Sequence, residues 1–340
     1  MINGIGLKKT ASALFSALRW GLCGVGVAAL VLLVMIAAPL VAPPELRSIS
    51  AARGTIDFST LPAIERFQAR DGTALGFRHY PATGPATGRV AILIHGSSGS
   101  SGNAIHVLSM ALAAHGVESY AVDIRGHGAS GTRGDIGYVG QLEHDLADFV
   151  AVVRKTSPTA PLTLIGHSAG GGFALRVAGS PIQGLFVRTV LLAPYLGYYA
   201  PTNRPNSGGW ASPDMPRIIA LTMLRRIGIV CCDALPVLAF AVPPHSEQSL
   251  VPAYTERLRS NFATHLDFRT DLAAATRPVS IYSGADDELM LADKYAEAVR
   301  GVTPPVTVKL IDGINHVGIV SNPRAVSMIA DDVATAGLNS

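Results

Sequence analysis

Short aliphatic and β-branched runs recur between residues 64 and 311, and stretches with helical apolar spacing lie between them. The runs are 64–69, 75–80, 90–94 (VAILI), 119–123, 162–166 (LTLIG), 188–193, 278–283 and 306–311. The helical patterns are 103–115, 138–156, 170–179, 291–300 and 323–336. The middle runs are almost continuously apolar, as a strand covered on both faces must be. This alternation restricts the chain to an α/β architecture, a mostly parallel eight-stranded sheet flanked by helices. The first two runs, joined near Gly72, predict an antiparallel hairpin at the sheet edge. Residues 195–265 break the rhythm with Gly/Pro-rich loops, a helical stretch near 216–227 and an apolar run at 229–242. Lying between two sheet strands, this segment is expected as a lid inserted over one end of the sheet.

The amino-terminal part obeys a different rule. Residues 21–42 contain no charged side chain. About 20 apolar residues span the hydrocarbon core of a bilayer as a helix, whereas the apolar region of a cleaved signal peptide is about 7–15 residues long. A transmembrane anchor at 21–42 is therefore expected, with a cleaved signal or a buried segment as alternatives. Lys8, Lys9 and Arg19 precede the run without any acid, while Glu45, Arg47 and Arg53 follow it. A single-pass membrane protein is therefore expected, and the positive-inside bias predicts residues 1–20 cytoplasmic and the bulk of the chain on the exported, periplasmic or extracellular side. Residues 43–60 read as a linker, 61–194 and 266–340 as the two parts of the core, and 195–265 as the lid.

Charge and cysteine content exclude other classes. The formal charge of +3 arises from the three basic residues before the apolar run; the rest carries 24 basic and 24 acidic side chains. With no basic run or aromatic-basic stripe, nucleic acid is not an expected partner. Three cysteines (Cys23, Cys231 and Cys232) supply neither a disulfide framework nor a CxxC zinc site. His144, Asp145 and Asp148 share helical spacing but are expected on a solvated surface rather than around a metal.

Gly166-His167-Ser168-Ala169-Gly170 follows the run LTLI and opens a Gly-rich helical pattern. In a strand–turn–helix context, G-x-S-x-G exposes the serine on a tight turn at the carboxyl end of its strand. The following helix start points backbone N–H groups toward developing negative charge. A serine hydroxyl is a weak nucleophile and needs an adjacent base. That base needs a carboxylate to fix its tautomer.

Together with LIHGSSGS (93–100), DIRGHGAS (123–130), IGYVGQLEHDLADFV (136–150), IGHSAGG (165–171), SGADDEL (283–289) and GINHVG (313–318), the chain resembles the α/β-hydrolase superfamily. Within it, the likeness is to the monoacylglycerol lipase, lysophospholipase-like and serine aminopeptidase-type branch, over roughly residues 60–335. The resemblance implies Ser168 as nucleophile, His316 as general base and acid, and Asp287 as the carboxylate orienting His316. Asp286 is the alternative to Asp287. It also implies an oxyanion hole from the backbone N–H groups of Ser97 and Ala169, with His95, Gly96 and His167 shaping the site. His127 and Asp123 are expected to be structural.

The expected activity is that of a membrane-anchored serine hydrolase acting on a carboxylic ester, an acyl-chain lipid or a small-molecule ester, without metal or organic cofactor. A peptidase or amidase is the alternative; its substrate amine would need an acidic anchor such as Glu247 or Glu256. A non-catalytic hydrolase-fold scaffold is a further one.

Overall fold

A computed structural model describes residues 4–243, 250–304 and 306–335. Its strands are β1 (Glu65–Gln68), β2 (Ala74–Tyr80), β3 (Val90–Ile94), β4 (Glu118–Val122), β5 (Leu162–His167), β6 (Arg188–Leu192), β7 (Ala211–Pro213), β8 (Pro236–Phe240), β9 (Ala253–Thr255), β10 (Val279–Gly284) and β11 (Thr307–Ile311). Its helices are α1 (Gly4–Ala37), α2 (Arg47–Gly54), α3 (Ile105–Ala114), α4 (Gln141–Thr156), α5 (Ala169–Ala178), α6 (Met215–Arg226), α7 (Glu256–Asn261), α8 (Phe268–Ala274), α9 (Tyr295–Ala298), α10 (Gly318–Ser321) and α11 (Pro323–Thr335). All eight expected strands form one sheet, in the order β1-β2-β4-β3-β5-β6-β10-β11. The expected edge hairpin is present: β1 pairs antiparallel with β2, and β2 antiparallel with β4. Every other pairing is parallel. This is the α/β-hydrolase fold.

Burial on both faces explains the apolar runs. Val90, Ile92 and Ile94 of β3 pack into one core with Phe149 of α4 and Phe173 of α5. Ala91 and Leu93 point to the other, with Leu108 of α3 and Ile329 of α11. Alternate residues of a strand face opposite sides, so a strand covered twice needs an unbroken apolar run. In α4, Leu142, Leu146, Phe149, Val150 and Val153 form the buried stripe. That helix begins later than its sequence pattern suggests because Gly140, at φ 103°, turns the chain just before it.

The order of strands positions the site. After β3 the chain crosses to β4 on one side, then returns to β5 on the other. Loops leaving the carboxyl ends of β3 and β5 therefore diverge and open a crevice, where α/β sheets hold their ligands.

The chain divides into two compact units, one of residues 1–40 and 213–233, the other of 41–212 and 234–340. In the first, α1 packs with α6. Leu14–Ala37 is long and apolar enough to cross a membrane, with a mean hydropathy of 2.5. The helix stops at Ala37, short of residue 42, because Pro39 disfavours helical geometry at the residue before it. Asp214 caps α6 by accepting from the Arg217 N–H at 3.0 Å, and Arg217 Nε donates to the Ile36 carbonyl at 2.8 Å. Within the insertion, Ile219, Met223, Ile227, Ile229 and Val230 are exposed, whereas Val237 and Phe240 are buried.

In the second unit, β7, β8 and β9 form a small sheet within the insertion. The stretch read as a linker contains α2, whose Ile49 is buried in the main core.

Candidate active site

β5 ends at His167 and α5 begins at Ala169, so Ser168 alone makes the turn, at φ 54° and ψ −119°. A non-glycine residue with positive φ carries backbone strain, which persists only when its surroundings enforce it. Here they do. The Ser168 N–H donates to the Leu192 carbonyl at 2.9 Å, and its own carbonyl accepts from Gly172 (3.1 Å) and Tyr195 (2.9 Å). The two motif glycines allow the close approach: a Cβ on Gly166 would lie 2.1 Å from the Gly170 carbonyl oxygen, and one on Gly170 would lie 2.3 Å from that of His95.

His316 and Asp287 come from the loops after β11 and β10. His316 Nδ1 donates to Asp287 Oδ2 at 2.8 Å, and both side chains are buried. The other carboxylate oxygen, Oδ1, accepts from the Leu289 and Met290 N–H groups at 2.8 Å each. Asp286 is exposed. Burial pulls the His316 pKa down, but the charge and hydrogen bond of Asp287, with Glu288 nearby, outweigh it and leave it raised. Burial pushes Asp287 up, but the His316 charge and the three donated hydrogen bonds leave it below the usual carboxylate range. The arrangement favours an ionised carboxylate beside an imidazole of enhanced basicity.

The His167 ring lies tilted against that of His316, with centroids 4.9 Å apart, and its Nε2–H donates to the His316 carbonyl at 3.1 Å. Burial, reinforced by the neighbouring His316 charge, pushes the His167 pKa down to about 3. It is therefore a neutral ring that fixes the His316 backbone. From the other side, the His316 N–H donates to Glu288 Oε2 at 2.9 Å.

The loop after β3 carries the remaining expected residues. The Ile124 N–H donates to His95 Nε2 at 3.2 Å, which puts the proton of this buried neutral ring on Nδ1. Nδ1 in turn donates to the Gly96 carbonyl at 2.8 Å. Residues of the insertion hold the same loop. Trp210 Nε1 donates to Ser97 Oγ at 2.8 Å, the Ser98 N–H donates to the Tyr254 hydroxyl at 2.6 Å, and Ser98 Oγ donates to the Val251 carbonyl at 2.7 Å. The Tyr254 hydroxyl also bonds His127 Nε2 at 2.5 Å, and Asp123 accepts from the Ser101 and Ala129 N–H groups. No acceptor engages the Ser97 N–H among the described residues. Ala169 opens α5, so its N–H has no partner within the helix.

One cavity gathers these parts. Ser168, His316, His167, His95, Gly96 and Ser97 all line it. Among the described residues the Ser168 hydroxyl makes no hydrogen bond, so Ser168 and His316 share the cavity without being joined. Sequence reasoning passed over four features here: Glu288 behind His316, Trp210 on Ser97, and Ile49 and Arg53 of α2, which line the cavity wall. Glu288 adjoins the Asp287 motif, and Ile49 and Arg53 stand four residues apart, one helical face, but nothing in the sequence tied that face to Ser168.

Other sequence candidates lie elsewhere. Asp145 is not solvated as expected; it is buried and paired with Arg125 Nε at 2.7 Å. Asp148 pairs with Arg70, and His144 with the Tyr138 hydroxyl. Glu256 is buried and bound to Arg259 at 2.8 Å. Glu247 lies outside the described residues.

Comparisons with known proteins converge on this site's fold. A family model described as serine aminopeptidase, S33, matches residues 85–320. A monoacylglycerol lipase of Mycolicibacterium smegmatis is 26% identical over 257 residues, covering 72% of this chain and 86% of that protein. The crystal structure of a soluble variant of monoglyceride lipase from Saccharomyces cerevisiae, bound to a substrate analogue, aligns with a TM-score of 0.61 at 16% identity, over 83% of this chain and 96% of that one. A membrane phospholipase A, described as a bacterial virulence factor, aligns with a TM-score of 0.56 at 15% identity, over 97% of this chain and all of that one. The two structural likenesses attest the fold alone. With the family model covering more than half its length, the chain belongs to the serine aminopeptidase S33 family and is a serine hydrolase of the α/β-hydrolase fold.

Proposed function

We propose that this protein hydrolyses carboxylic esters of acyl-chain lipids, of the monoacylglycerol or lysophospholipid kind, through an acyl-enzyme on Ser168. The observation that carries this reading is the shared cavity: Ser168 and His316 line it together, and Asp287 bonds the imidazole from behind. With its Nδ1 proton committed to Asp287, His316 presents Nε2 as the basic nitrogen. It takes the Ser168 proton as the hydroxyl attacks the ester carbonyl, and Asp287 stabilises the imidazolium. The tetrahedral oxyanion is received by the N–H groups of Ser97 and Ala169, each worth about 2.7–4 kcal/mol by analogy with measured oxyanion holes. His316 returns the proton to the departing alcohol, then activates a water that hydrolyses the acyl-enzyme.

Ile49, Ile105, Leu289 and Val317 give the cavity an apolar wall suited to an acyl chain. The similarity to a monoacylglycerol lipase supports the same substrate class. In this reading α1 is a membrane anchor with its amino terminus cytoplasmic, 43–60 joins it to the exported hydrolase core of 61–194 and 266–340, and 195–265 serves as lid.

A fluorophosphonate probe tests the site. Labelling that disappears in Ser168→Ala is expected; an unlabelled folded protein refutes the reading. Hydrolysis of p-nitrophenyl esters should rise with acyl length, and activity confined to two-carbon esters would exclude a lipid substrate. An alkaline phosphatase fusion after residue 60 should be active; a silent fusion reverses the orientation.

A further inference from the structure

The wall contributed by α2 is chemically unlike the rest of the cavity. Ile49 and Arg53 stand one helical turn apart and both line the cavity that holds Ser168. Ile49 is buried in the main core and so fixes the helix against it. Arg53 is only partly exposed, and burial pulls its guanidinium down to about 10, so it is charged at neutral pH. Among the described residues the Arg53 side chain makes no ion pair and no hydrogen bond.

A guanidinium has five N–H donors and no acceptor. Withdrawing it from water without a counter-charge is unfavourable. The buried arginines of this protein have one: Arg125 bonds Asp145, Arg176 bonds Glu143 and Arg217 lies 3.4 Å from Asp214. The cavity offers Arg53 no such relief. Its lining contains no carboxylate, and its other titratable members are His95, His167 and His316. Asp287 and Glu288 lie behind His316 and are already bonded to it. A position in the last turn of α2 suits a cation, but that interaction does not require the side chain to line a cavity.

We propose that Arg53 is a specificity-determining residue that receives a phosphate group carried on the alcohol part of the ester substrate. This rests on the ester-hydrolase reading above and narrows its substrate class to lysophospholipid-type esters over neutral glycerides. The acyl chain of a lipid is uncharged along its length, so an anion reaches this cavity in one of two ways. It arrives on the alcohol part, where phosphate is the common anion of acyl lipids, or it is the carboxylate freed at Ser168. The planar fork of Arg matches phosphate with two parallel hydrogen bonds.

The test uses full-length protein in a nonionic detergent and two probes that differ only in charge, 1-octanoylglycerol and 1-octanoylglycerol-3-phosphate. Binding is measured calorimetrically on Ser168→Ala, alone and combined with Arg53→Gln or Arg53→Lys. The phosphate ester should bind at least tenfold more tightly than the neutral ester. Arg53→Gln should erase that preference while leaving the neutral ester within twofold, and Arg53→Lys should keep part of it. With Ser168 intact, the same split should appear in KM rather than kcat. Equal weakening of both esters by Arg53→Gln, or a preference that survives it, overturns the proposal. So does relief of octanoate inhibition by Arg53→Gln with the phosphate preference unchanged, since the anion would then be the product carboxylate. Failure of the hydrolase reading is separately visible, as absent turnover and absent probe labelling, while the binding series still decides the role of Arg53.

Discussion

Two walls of one cavity are built on opposite terms. On the rim of the sheet, almost every polar group is held: Asp287 takes three hydrogen bonds, the His316 backbone is gripped by His167 and Glu288, and the strained Ser168 backbone is tied at both its N–H and its carbonyl. On α2, the charged group that lines the cavity, Arg53, has no ion pair and no hydrogen bond among the described residues. Preorganised donors and acceptors cost no rearrangement when charge develops, which is what catalysis requires. An unsatisfied charge is useful only when something arrives to satisfy it. The difference separates a region that performs a fixed reaction from one that selects what reaches it.

Substitutions on the rim should break catalysis in order of how directly they touch the reacting atoms. Ser168→Ala should lower kcat by about 10⁶-fold, as nucleophile removal does in other serine hydrolases, with an unchanged melting temperature. Asp287→Asn should lower kcat by about 10⁴-fold. It should also move the acid limb of the kcat/KM profile to lower pH: burial alone depresses His316, and Asp287 is what raises it, so the base loses its proton at lower pH once that charge is gone. A limb that stays in place would mean that another group titrates. Gly166→Ala tests the rigidity of the turn itself. Its methyl would meet the Gly170 carbonyl oxygen, and a loss of about 1–3 kcal/mol in denaturant unfolding is expected. The smallest effect belongs to Trp210→Phe, which removes one hydrogen bond to Ser97 and should cost about 1 kcal/mol of stability with less than a tenfold loss in kcat/KM.

Legibility in the sequence followed the same division. The β3 and β5 strands could be read because both faces are buried, which leaves continuous runs such as VAILI. Ser168 could be read because its turn demands glycine on either side. The choice of Asp287 over Asp286 came from family likeness; in the structure Asp287 is buried and bonded to His316, whereas Asp286 is exposed. What escaped depends on contacts distant in the chain. An eight-residue helix such as α2 has too few turns to display a period, and only its docking against the core through Ile49 brings Arg53 to the cavity. Trp210 and Tyr254 lie in a segment whose strands, β7 and β9, are three residues long. Asp145 looked like solvated surface because its partner, Arg125, lies on a separate loop.

The packing of α1 with α6 has a practical bearing. Arg217 of α6 reaches the Ile36 carbonyl in the last turn of α1 and the Ala38 carbonyl just beyond it. Deleting the first forty residues to obtain a water-soluble preparation would therefore strip α6 of its companion and leave a buried guanidinium without these acceptors. Such a truncated preparation would differ from the intact enzyme in more than its solubility, and assays on it should be compared with the full-length chain before being taken to represent it.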